Sequence, residues 1–224
     1  MATMDQHAQD IVTAAVAQAE ANTSGEIVTV LADRSDGYTD VALLWAVALA
    51  FTAMALVTAF PGAATGFADR MLGNWSHVWT AGQLLTLVTG VGLFTFLATW
   101  ALQAWQPFKF ALIPGPVKAS RVRDAAIRHF KVGADRRTHG RTGVLLYLSM
   151  REHRAEIVAD EAVATKVDAE VWGKAMADML GEIRKGHVGE GLAAGVRDVG
   201  AVLTEHFPRG EDDVNELPDR LILV

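Results

Sequence analysis

The chain has 224 residues, a formal net charge of −6, 51 % hydrophobic and 21 % charged residues, and no cysteine. The missing cysteines exclude a disulfide framework and thiolate metal sites, and the acidic balance argues against a nucleic-acid partner. A mean hydropathy of +0.22 is high for a soluble domain with this much charge, so the apolar excess must be concentrated somewhere.

In chain order, Thr3 and Gln6 have the spacing of a capping box. They precede a helix with Ala8, Ile11, Val12, Ala15 and Ala19 on one face. "ANTSGE" breaks that helix, and Glu26 to Ala32 is short and β-branched, which predicts a strand. Val41 to Phe60 and Gly82 to Trp105 then contain no charged residue. Each has the roughly 20 apolar residues needed to cross a hydrocarbon core. Trp45, Trp100 and Trp105 are of the type enriched at membrane interfaces. The alternative, two fully buried core helices, finds no room in a domain of this size.

The first forty residues are acidic, with Arg34 as their one Lys or Arg, and do not read as a signal peptide. The segment joining the spans, Pro61 to Ala81, carries Arg70 alone. Lys109, Lys118, Arg121 and Arg123 follow the second span. That bias predicts a two-span membrane protein with both termini cytoplasmic.

Residues 106–118 contain Pro107, Pro114 and Pro116 and are expected to be a stiff non-helical connector. A helix is expected from about Ala119 to Lys131, with Val122, Ala126, His129 and Phe130 on one face. Strands follow at Gly143–Ser149 and Arg154–Asp160, joined by "MREH" at hairpin length. The first is apolar nearly throughout and should be central. Asp168 suits the N-cap of a helix carrying Trp172, Met176, Met179 and Ile183, with Gly186 after its end. A last helix puts Val188, Leu192, Val196, Val199 and Leu203 on one face and stops before Pro208. Gly191, Gly195 and Gly200 on it are expected to let helices approach closely. In the acidic tail, Leu217, Leu221, Ile222 and Leu223 should dock on the domain.

The organisation is therefore residues 1–40, helix and first strand; 41–105, a two-helix transmembrane hairpin with spans at about 41–60 and 82–105; 106–118, connector; 119–208, the rest of the domain; and 209–224, tail. Neither soluble part can bury its own faces, so the two must fold together. The predicted class is α/β, a small open sheet flanked by helices and interrupted by the hairpin. Two spans return the chain to the side it left, whereas one would divide the sheet across the bilayer.

Ser24-Gly25-Glu26-Ile27, Phe130, Gly143-Val144-Leu145-Leu146 and Glu156-Ile157-Val158 running to Asp160 resemble the TPM domain family. That family includes thylakoid-lumen phosphatase-like proteins linked to photosystem II repair. His206 to Asp219 is similar to a bacterial membrane-bound subgroup, which implies the bacterial inner membrane as the location. The resemblance implies the small open sheet, the phosphatase activity proposed for the family, and the calcium binding of some members.

No His spacing suits zinc, and Ser35 and Ser149 lack a G-x-S-x-G context. "GHVGEG" (residues 186–191) follows a helix and reads as a helix–helix turn. The candidate site is acidic: Asp33 and Asp36 follow the first strand, and Asp160 and Glu161 follow the third. If those strands are parallel neighbours, the four carboxylates share one sheet edge, where sites in open α/β sheets lie. Such a cluster would hold Ca²⁺ or Mg²⁺ through oxygen alone; the plainer reading is solvated loop ends. Two functions follow. One is a non-enzymatic, bilayer-anchored module that binds or modulates another membrane protein in assembly, stability or turnover. The other is a divalent-metal-dependent phosphatase.

Overall fold

The computed structural model describes residues 4–73, 78–133, 142–210 and 219–224. These form two compact units, one from residues 1–36 and 115–224, the other from 37–114.

The first unit is a three-layer α/β domain. Its elements are α1 (Gln6–Glu20), β1 (Glu26–Ala32), α6 (Gly115–Gly133), β2 (Gly143–Ser149), β3 (Arg154–Ala159), α7 (Glu161–Ala164), α8 (Ala169–Ile183), α9 (Val188–His206) and β4 (Ile222–Leu223). The four strands lie in the order β3-β2-β1-β4. β1 is parallel to β2 and to β4, whereas β2 and β3 are antiparallel. All residues of β1 and β2 are buried, because helices cover both faces of the sheet. Alternation divides them. Ile27, Leu31, Val144, Leu146 and Leu148 pack with α1, α8 and α9 through Val12, Val16, Met179, Leu192 and Val196. Val28, Val30, Leu145 and Tyr147 meet Val122, Ala126 and Phe130 of α6 on the other face.

A parallel pair needs a crossover, and between β1 and β2 that crossover contains α6. The second unit is inserted into it, between the end of β1 and the start of α6. It leaves the sheet pairing intact because it lengthens a connection that already had to leave the sheet.

The second unit contains α2 (Thr39–Ala59), α3 (Pro61–Leu72), α4 (Ala81–Leu102) and α5 (Gln106–Leu112). α2 and α4 are long and apolar enough to cross a membrane, and only 11 % of the apolar window of each is buried. That exposure is the reverse of a core helix. Small residues let them meet: Ala42, Ala46 and Ala50 are buried on α2, and a Cβ on Gly92 would lie 2.6 Å from Met54 Sδ. The amide of Gln103 donates to Ala42 O at 3.0 Å. Thr80 and Gln83 form a capping box at the start of α4.

Several expectations are corrected. The connector at 106–118 is helical on both sides of a break at Ile113-Pro114, because Pro107 and Pro116 sit in the first turns of α5 and α6, where no amide partner is lost. Ile113 is extended, as a residue before proline prefers. Pro61 likewise opens α3, within the segment that joins the two spans. Trp105 caps α5 and lies outside the second long helix. The N-cap of α1 is Asp5, whose carboxylate accepts from Ala8 N at 2.7 Å; Thr3 lies outside the described residues. The tail docks more specifically than expected. Leu221 is buried, and Ile222 and Leu223 pair with Val30 and Leu31 as β4; Leu217 lies outside the described residues.

Candidate functional site at the carboxyl edge of the sheet

The sheet does not bring the four predicted carboxylates together. β1 and β3 are separated by β2, and β3 runs antiparallel to it. The short turn after Ser149 reverses the chain, so Asp160 ends at the edge where β1 and β2 begin. There its N–H donates to Gly143 O at 2.9 Å, and its Oδ2 accepts from Gly143 N at 3.0 Å. Asp160 thus closes the start of the β2–β3 ladder and caps α7, whose first residue is Glu161.

Asp33 and Asp36 remain at the carboxyl edge. Arg151 Nε lies 3.1 Å from both oxygens of Asp33, and Arg151 N donates to Asp33 O at 3.0 Å. Asp33 N donates to Val224 O, which ties the chain end to the same edge. Arg121 of α6 reaches Asp36 Oδ2 at 3.2 Å. Each carboxylate is therefore neutralised by a guanidinium of the same unit, and among the described residues no group of three or more His, Asp or Glu is placed to hold a metal ion. The donor set inferred for Ca²⁺ or Mg²⁺ does not fit: Asp33 and Asp36 lie at one edge and Asp160 and Glu161 at the other. The Asp33–Arg151 pair is partly exposed on both sides, where such pairs contribute about 1 kcal/mol or less. Asp33→Asn is expected to shift the urea-unfolding free energy by less than that.

Behind these pairs lies a buried polar chain that the sequence patterns did not single out. Glu152 is buried. It accepts from Ser35 N at 2.9 Å and from the hydroxyl of Ser149. The Ser35 and Tyr147 hydroxyls share a hydrogen bond of 3.1 Å, and the His129 ring stacks on Tyr147 at 5.6 Å. Burial raises the Tyr147 hydroxyl above its ordinary value. Burial, with Arg128 beside it, lowers His129, which favours the neutral ring. The chain fixes the loop that leaves β1 against the end of β2.

The opposite edge holds a second feature missed from sequence. Glu20, the last residue of α1, is buried and accepts from Ile27 N at 2.7 Å. Burial, reinforced by Glu26 and Asp219, pushes its carboxyl up to about 8. The one available signal was a glutamate ending a helix just before "ANTSGE".

These features define a class: an open, helix-covered α/β domain with a pair of long apolar helices inserted after its first strand. Residues 117–202 match the family model of the TPM domain. The NMR structure of the BA42 protein from the psychrophilic bacterium Bizionia argentinensis is similar, with a TM-score of 0.57 at 16 % identity. That likeness covers 100 % of this chain and 97 % of BA42 and is one of fold. No curated protein matches the chain.

Proposed function

We propose that this chain is a membrane-anchored TPM-domain protein that binds or modulates another membrane protein or complex, without catalysis of its own. The observation that carries the reading is the insertion of two lipid-length helices, exposed along most of their surface, into the crossover of an otherwise continuous sheet domain. A domain tethered at both ends of such an insertion is confined to the bilayer surface, where its partners would also be confined. The Lys109, Lys118, Arg121 and Arg123 cluster against the lone Arg70 supports a cytoplasmic domain at the bacterial inner membrane. The metal-dependent phosphatase is the weaker reading. It needs Asp160 beside Asp33, and those residues lie at opposite edges of the sheet.

In-cell crosslinking of the full-length chain, followed by purification in mild detergent, is expected to return one membrane protein in near-stoichiometric amount. Exchanging residues 37–114 for an unrelated two-helix hairpin separates capture by the TPM domain from capture by the helices. No crosslinked species above background would sink the proposal. Metal-dependent turnover of a phosphate monoester that disappears in Asp33→Asn would put the phosphatase in its place.

A further inference from the structure

α3 is more than a link between the long helices. Phe60, Ala63, Ala64, Phe67, Ala68 and Met71 recur at three- and four-residue spacing, an apolar stripe along one face. That face turns back toward the end of α2 and the early turns of α4, and the three helices enclose an open groove of about 650 Å³. Its walls include Leu56, Phe60, Ala64, Phe67, Met71 and Leu87, and every lining side chain is hydrocarbon or thioether. Phe60 and Phe67 are each 63 % exposed and Met71 is 71 % exposed, so the described chain does not fill the space itself.

We propose that this groove holds an acyl chain of a membrane phospholipid, with α3 lying in the interface and Arg70 at the rim on the headgroup phosphate. Three observations select this occupant. The groove is walled in part by α2 and α4, the same helices that expose Leu49, Phe51, Leu85 and Phe94. At about 1.5 Å per residue, helices of 21 and 22 residues match a hydrocarbon core of roughly 30 Å. The turn between them, where the groove lies, therefore falls at the interface. Charge agrees: Arg70 is the only Lys or Arg between residues 41 and 108. It is exposed one residue before Met71, and an arginine there can complement a phosphate while resting its stem on apolar surface. A partner helix fits less well, because the protruding Phe60, Phe67 and Met71 hold a neighbouring backbone away, whereas helix docking in lipid favours close approach of small residues.

The inference rests on the membrane reading of α2 and α4, and its test separates the two. The chain has no cysteine, so single cysteines can be introduced into the full-length protein and spin-labelled in nanodiscs of phosphatidylcholine and phosphatidylglycerol. Phe67→Cys reports the groove, with Met71→Cys as a second variant should the first fail to insert. Gly62→Cys reports the opposite face, where an added Cβ meets nothing within 4 Å. Leu97→Cys reports the exposed surface of α4. The expected result is oxygen access with little nickel-chelate access at Phe67 and Leu97, and the reverse at Gly62. Nickel access at Phe67 with lipid-like Leu97 overturns the groove alone; nickel access at Leu97 overturns the membrane reading. A Phe67 label closed to both reagents means that protein fills the groove, which also overturns the proposal. Arg70→Gln is expected to lower the retention of phosphatidylglycerol relative to phosphatidylcholine, read by native mass spectrometry, about fivefold. An unchanged ratio removes Arg70 from the headgroup.

Discussion

Glu20→Gln should abolish a loss of stability that the native chain suffers between mildly acidic and mildly alkaline pH. The native carboxyl titrates near 8, against 4.5 as the ordinary value. Below pH 4.5 the group is protonated in both folded and unfolded chains and costs nothing. As pH rises, the unfolded chain releases the proton first, so folding must hold a proton that the unfolded state has lost. Stability falls through that window and levels off above about 8. Each tenfold difference in proton affinity between the two states is worth about 1.4 kcal/mol. Relaxation and water entry around a real buried acid reduce the sum, and a loss of about 2 kcal/mol is expected. Glutamine keeps an oxygen for Ile27 N and cannot ionise. Amide hydrogen exchange of β1 and β2 in the full-length protein, measured at pH 5.5 and pH 8 and corrected for intrinsic rates, reads the difference. A native opening free energy that does not fall between those values would show that Glu20 ionises freely in the fold.

The second large effect is steric. Gly200→Ala places a Cβ 2.5 Å from the Cβ of Ala19 and 3.3 Å from its Cα, where α9 crosses α1. Alanine gains about 1 kcal/mol of helix propensity over glycine. Here the contact wins, because helices packed on both sides of this crossing cannot separate without opening the core around Leu203 and Val16. Overpacking of this kind costs about 1 to 3 kcal/mol, so after the propensity gain a net loss of about 1 kcal/mol is expected in urea unfolding. Adding Ala19→Gly removes the clashing atom and should recover part of that loss. A double variant no more stable than Gly200→Ala alone would place the strain elsewhere.

The same contact shows what can be read in the chain without its fold. Gly191, Gly195 and Gly200 lie on an apolar helix, and close approach is their plain reading. A Cβ on Gly191 would come within 2.8 Å of Met179 O. Glu20 cannot be read in that way, since its environment is assembled by Ile27, Glu26 and Asp219, none of them its neighbour on α1.

Local physics sufficed for β1 to β3, the two long helices and the bodies of α6, α8 and α9, because period, branching and breaker residues act over a few positions. The α/β class followed from those elements, whereas the TPM resemblance rested on particular residues such as Ser24 to Ile27 and Gly143 to Leu146. Proline misled at 107 and 116, where the residue type is plain but its place within a helical turn is not. The two-residue β4 was invisible, since nothing local distinguishes Ile222 and Leu223 from an apolar tail; β1 supplies the partner.

The candidate site failed at the level of topology. Strand ends can be located from sequence, but whether two ends share an edge depends on strand order and direction. With β1 parallel to β2, the short turn to β3 sends Asp160 to the far edge. The Ser35–Tyr147–His129 and Glu152–Ser149 contacts likewise join four separate segments. Composition and periodicity determined that this chain would build a helix-covered sheet and two lipid-length helices. Which side chains meet was decided only by tertiary structure, because pairing and direction are set by the burial of whole faces, a property no single segment carries.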